Sequence, residues 1–123
     1  MKIAITANNK KEVTAHAGGC RNYLIYTIEN DQVVNKELVH FKKEQTLRYT
    51  FHDDKSEHPQ NPIFDMDILL TGSIGQGAIF NLANQNVKAF IIEEKDPDLA
   101  VQKFLSGTLR TFLPHEHSHS CNH

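Results

Sequence analysis

Tryptophan is absent from this 123-residue chain, and cysteine occurs only at Cys20 and Cys121. Two thiols so far apart do not form a disulfide framework, so the fold must rest on an ordinary apolar core. No apolar run approaches the roughly 18–20 residues that a membrane-spanning helix needs. Neither sign of charge dominates: 13 Lys and Arg face 15 Asp and Glu, a formal net charge of −2. Lacking a cationic surplus, the chain is not expected to bind duplex DNA or RNA through phosphate contacts. The opening Met1-Lys2-Ile3-Ala4-Ile5-Thr6 turns polar by Ala7-Asn8-Asn9-Lys10-Lys11, too short an apolar stretch for a signal peptide. With 39% hydrophobic and 23% charged residues, the composition is that of a folding chain. The expectation is one soluble, cytoplasmic domain with neither nucleic acid nor membrane as partner.

What is abundant is histidine. There are eight, four of them in the last nine residues. Before that tail the chain divides into short periodic segments. Lys2-Ile3-Ala4-Ile5-Thr6 reads as a strand ended by Asn8-Asn9. Tyr23 to Ile28 is rich in β-branched and aromatic residues, Glu29-Asn30-Asp31-Gln32 reads as a hairpin turn, and Val33 to Phe41 as the return strand. Residues 42–62 alternate weakly around Leu47, Tyr49 and Phe51 and then turn polar up to Pro62; this segment stays unassigned. Ile63-Phe64 leads into a buried strand at Ile68-Leu69-Leu70-Thr71. Ala78, Ile79, Leu82 and Ala83 mark one face of a helix that stops near Asn86, and Val87–Ile92 reads as another strand. Asp96 is placed to cap a last helix, with Pro97 at its first position, Gly107 beyond its end, and Leu99, Ala100, Val101, Phe104 and Leu105 on its apolar face. Strand–helix–strand after residue 63 requires a parallel pair. The pattern predicts an α/β domain, a mixed five-stranded sheet flanked by helices, over residues 1–110, with a flexible His/Cys-rich tail over 111–123.

Three groups of residues carry chemistry. In the tail, His115, His117, His119, Cys121 and His123 occupy every second position, so an extended chain would turn them to one side. Imidazole and thiolate suit a divalent transition metal such as Zn²⁺, Ni²⁺ or Cu, and not Mg²⁺ or Ca²⁺. A purification tag is normally an uninterrupted His run, which this is not; a tail that binds metal without purpose is the competing reading. The second group is Thr14-Ala15-His16-Ala17-Gly18-Gly19-Cys20-Arg21. Its glycines allow close backbone approach, His16 and Cys20 can both ligate soft metals, and Arg21 is expected to lower the thiol's pKa. On spacing alone, a glycine turn whose His and Cys face inward is the simpler reading. The third is Thr71-Gly72-Ser73-Ile74-Gly75-Gln76-Gly77-Ala78, a strand-to-helix turn whose amides could face an anion. Its glycine spacing matches neither the dinucleotide nor the Walker pattern. His52 and His58 read as solvated loop residues, and Asp65 and Asp67 as a solvated strand edge.

In this order the pieces resemble a known family. His16-Ala17-Gly18-Gly19-Cys20-Arg21 followed by Tyr23-Leu24-Ile25-Tyr26 looks like its H-x-G-x-(C/R) entry loop, and Asp67 to Gly77 like its D-V-L-I-x-G-G-(I/M)-G-x-G core. Asp96-Pro97 through Phe104-Leu105-Ser106-Gly107-Thr108-Leu109 resembles its closing helix. The family is the dinitrogenase iron–molybdenum cofactor biosynthesis group of the NifX type, and the resemblance spans residues 1–110. It implies a ribonuclease-H-like fold without nuclease activity, and a non-catalytic carrier of iron–sulfur or iron–molybdenum-type clusters between cofactor-assembly proteins that donate and accept them. Carried over, His16 and Cys20 are the cluster ligands, with Gly18, Gly19 and Arg21 around them. Gly72, Ser73, Gly75 and Gly77 form the adjoining loop. Two departures stand out: Ala17 where Phe is common, and Ser73 for the usual second glycine. Nuclease chemistry needs converging carboxylates, and the first strand carries none. Thiol-redox chemistry lacks a second cysteine near Cys20. The alternative function is a transition-metal chaperone or buffer acting through the His-rich tail.

Overall fold

The computed structural model describes residues 1–42, 45–46 and 62–112. Most of the unassigned 42–62 segment, His52 and His58, and all five tail donors lie outside the described residues. Five strands form one sheet: β1 (Lys2–Thr6), β2 (Asn22–Glu29), β3 (Gln32–His40), β4 (Ile68–Thr71) and β5 (Lys88–Ile91). Their order across the sheet is β3-β2-β1-β4-β5. β1 and β2 pair antiparallel, as do β2 and β3, whereas β1–β4 and β4–β5 are parallel. This is the expected mixed five-stranded α/β sheet, and its order is compatible with a ribonuclease-H-like fold. Asn30 and Asp31 both adopt positive φ (52° and 61°), the conformation that a tight two-residue hairpin demands and that Asn and Asp tolerate.

The central strands β1, β2 and β4 are buried on both faces, whereas the edge strand β3 is largely exposed, which is why the central strands read as nearly continuous apolar runs. Helix α1 (Gln76–Ala83) lies on the face carrying Ala4, Tyr23, Ile25, Leu69 and Ala89, into which Leu82 inserts. Helix α2 (Pro97–Ser106) covers the opposite face, packing Ala100 and Val101 among Ile3, Ile5, Leu24, Tyr26 and Leu70. The predicted cap is present: Asp96 Oδ1 accepts from the Leu99 amide at 3.2 Å, and Gly107 closes the helix at φ 78°. The apolar faces predicted for the two helices need correction at Leu99 and Ala83, which are exposed. Each helix is anchored by a narrower stripe than its apolar residues suggest. The lead into β4 is a single 3₁₀ turn, Pro62–Asp65. Phe112, placed by the sequence in the tail, makes an antiparallel bridge with Ile91 through its amide, 2.9 Å from the Ile91 carbonyl.

Candidate functional site

Because β1 and β4 are parallel neighbours, their C-terminal ends leave the sheet together, the place where ligands settle in such sheets. Both strands end in threonine after an apolar run, and both threonines are buried. The Thr6 and Thr71 hydroxyls lie 2.9 Å apart. Above them the Thr14 carbonyl gathers Thr6 Oγ1 at 2.6 Å, the Gly72 amide at 2.9 Å and Thr71 Oγ1 at 3.3 Å. The Ala17 amide donates to the Ser73 carbonyl at 3.0 Å. The loop after β1 is thereby laced to the loop after β4. A Cβ on Gly72 would stand 3.2 Å from the Thr14 oxygen, so glycine here serves close packing of two backbones.

This lacing fixes the surroundings of His16 and of the two glycine-bearing turns. His16 is exposed and in the left-handed conformation (φ 61°), at the head of the 3₁₀ turn Ala17–Gly19. Gly19 is exposed and Gly18 half-buried beside it. Ser73 is half-buried, whereas Gly75 and Gly77 are exposed where α1 begins. No side chain caps that start. The bond from Ala17 to Ser73 therefore sets the turn headed by His16 beside the glycine-rich start of α1.

Three expectations are corrected. Cys20 is 1% exposed and packs among Ala4, Ala17, Tyr23 and Phe41, with its Sγ donating to the Asn22 carbonyl at 3.1 Å. In this conformation it faces the core and is not a preformed ligand beside His16. Arg21 does not activate it either. Burial pushes the Cys20 thiol above its ordinary value, with the Asn22 and Ala7 backbone and the Thr14 hydroxyl opposing more weakly. Arg21 Nε instead donates to the Phe41 carbonyl at 3.1 Å, fastening the start of β2 to the end of β3. The Gly72 amide likewise is spent on Thr14 and is not free to meet an anion. Asp67 accepts from the Lys2 amide at 2.8 Å, a strand-edge contact. Among the described residues no three His, Cys, Asp or Glu side chains group as a metal site. Thr14 and Thr71 each open one of the sequence groups, but their meeting with Thr6 at the loop junction is a finding of the structure; a polar residue closing each of two apolar strands is the available signal.

The model of the family described as dinitrogenase iron-molybdenum cofactor matches residues 1–107. The chain belongs to this family. Its membership ties the chain to the iron–molybdenum cofactor by name, in agreement with the NifX-type motifs. Among curated proteins, an uncharacterized protein of Methanocaldococcus jannaschii, MJ0580, is 26% identical over 114 residues, covering 91% of this chain and 92% of that protein. Among solved structures, PH0822 superposes with a TM-score of 0.69 at 25% identity, over 90% of this chain and 94% of that one. The apo form of the orange protein from Desulfovibrio gigas superposes with a TM-score of 0.64 at 21% identity, over 92% and 93%. Similarity at that identity establishes a shared fold. Among the described residues no helix is long and apolar enough to cross a membrane.

Proposed function

We propose that this protein is a non-catalytic binder and carrier of an iron–sulfur or iron–molybdenum-type cluster, received from one cofactor-assembly protein and passed to another. The observation that carries the reading is the lacing of the two loops at the C-terminal ends of β1 and β4, which leaves His16 exposed beside the uncapped start of α1. Imidazole nitrogen is a metal ligand. The first amides of a helix have no partner within it, so those at Gln76, Gly77 and Ala78 suit an anionic inorganic guest. Gly18, Gly19, Gly75 and Gly77 keep side-chain bulk away from it. Cys20 joins the ligand set only if the Ala17–Gly19 turn opens, because its sulfur now points into the core. Family membership supports the cargo class.

Anaerobic reconstitution of the full chain with iron and sulfide is expected to give visible cluster absorbance, reduced in His16→Ala. Unchanged yield and spectrum in that variant would remove the site from consideration. A second reading rests on the tail, where four imidazoles and one thiol alternate over His115–His123. In it the chain buffers or delivers a divalent transition metal. Calorimetry with Zn²⁺ and Ni²⁺ on a chain ending at Pro114 tests it, and retained stoichiometry and affinity would sink it.

A further inference from the structure

Away from the laced loops, a cavity of about 410 Å³ opens between the exit of β5 and the end of α2. That volume lies within the range of small-molecule sites, roughly 300–1,000 Å³. Its walls are pinned at several points. The Phe112 amide holds the returning chain to Ile91, and the amides of Thr108 and Leu109 bond the Lys103 carbonyl at 2.9 and 3.2 Å. Lys103 Nζ and Glu94 Oε1 meet at 2.7 Å, joining the two walls. On the β5 side the Lys95 carbonyl accepts from the Val13 amide at 2.9 Å.

The charges left over define the ligand. With Lys103 and Glu94 spent on each other, the lining retains Lys95, Arg110 and Glu93, none with an ion-pair partner among the described residues. Arg110 rests over the Phe112 ring, its guanidinium 5.6 Å from the centroid, so a planar fork for a carboxylate is partly held in place. The two cations and one carboxylate unpaired among the described residues are the complement of a molecule with two carboxylates and one ammonium. Leu109 and the Thr108 hydroxyl add a short apolar surface and one hydrogen-bonding group.

We infer that this cavity binds a small amino dicarboxylate, a free acidic α-amino acid being the simplest case. The carboxylates take Arg110 and Lys95, and the ammonium takes Glu93. The inference is independent of the cluster reading, since no residue is shared with the loops around His16.

The test is a titration of the full chain followed by backbone amide NMR, with L-glutamate, glutarate and glycine as probes. L-Glutamate is expected to give saturable shifts confined to residues 93–95 and 108–110. Glutarate, which lacks the ammonium, and glycine, which lacks the second carboxylate, should each bind about tenfold or more weakly. Arg110→Gln should weaken glutamate about tenfold, and Glu93→Gln should abolish the preference for glutamate over glutarate. Both positions are at the surface, and the same spectra report that the fold is kept. Shifts that sodium chloride reproduces at matched ionic strength, or a preference for glutamate that survives Glu93→Gln, would overturn the inference.

Discussion

Replacing Gly72 with alanine tests whether the two loops are held by close backbone packing. The added Cβ would meet the Thr14 oxygen at 3.2 Å, its carbonyl carbon at 3.3 Å and Ala15 Cα at 3.4 Å. All three are backbone atoms. The Thr14 carbonyl cannot withdraw without loosening its bonds from Thr6, Thr71 and Gly72 itself. Overpacking of this kind costs about 1–3 kcal/mol. A glycine that needs no positive φ returns about 0.4–1 kcal/mol on replacement, because the unfolded chain loses freedom. The balance is a destabilisation of about 1 kcal/mol. Gly77 is the control: it lies in α1 with nothing within 4 Å of the added carbon, so Gly77→Ala should stabilise by about 0.5 kcal/mol. Urea titration of both variants reads the difference of about 1.5 kcal/mol as roughly 1 M between midpoints. If Gly72→Ala melts with or above Gly77→Ala, the packing account of the loop junction is wrong.

The remaining predictions concern the α2 contact and the buried thiol. Lys36 at 2.8 Å and the Tyr26 hydroxyl at 2.5 Å both bind Asp98, and they hold its carboxyl below the usual range. A depressed folded value means that this stabilisation is in place above the unfolded carboxylate pKa and disappears as pH falls through the folded one. Wild type should therefore lose melting temperature below about pH 5, with a shallower acid slope in Asp98→Asn; identical slopes would refute the assignment. In a Cys121→Ser background, Cys20 should react with a disulfide reagent about two orders of magnitude more slowly in the folded than in the unfolded chain, reflecting its burial. Rapid reaction of the folded chain would mean that the Ala17–Gly19 turn opens freely.

Most of the architecture was legible because its signals are local. Asn30-Asp31 names the hairpin, Asp96-Pro97 the start of α2, and Gly107 its end; all three act through backbone conformation that the tertiary fold leaves alone. The parallel half followed from strand–helix–strand order. Where the reading slipped, the deciding contact was remote in sequence. Leu99 lies on the apolar side of its helix by periodicity, yet the sheet takes only Ala100 and Val101 fully and leaves Leu99 43% exposed. Phe112 reads as tail because nothing adjacent says that β5 has a free edge to receive it.

The site divided along the same line, and Cys20 is where the division matters. Sequence places a thiol next to an arginine, and adjacency alone suggests activation. In three dimensions the two side chains leave in different directions: Arg21 toward the Phe41 carbonyl, Cys20 toward the Asn22 carbonyl within the core. A buried thiol with a raised pKa is a poor metal ligand, because metal binds the deprotonated sulfur. If Cys20 is nevertheless to grip a cluster, the turn must open first, and opening breaks the hydrogen bonds that close it, from the Gly19 amide to the His16 carbonyl and from the Cys20 amide to the Ala17 carbonyl. Loading through Cys20 would then expose those two amides. Loading through His16 alone would leave the turn closed, so protection of the Gly19 and Cys20 amides from hydrogen exchange, before and after reconstitution, separates the two routes.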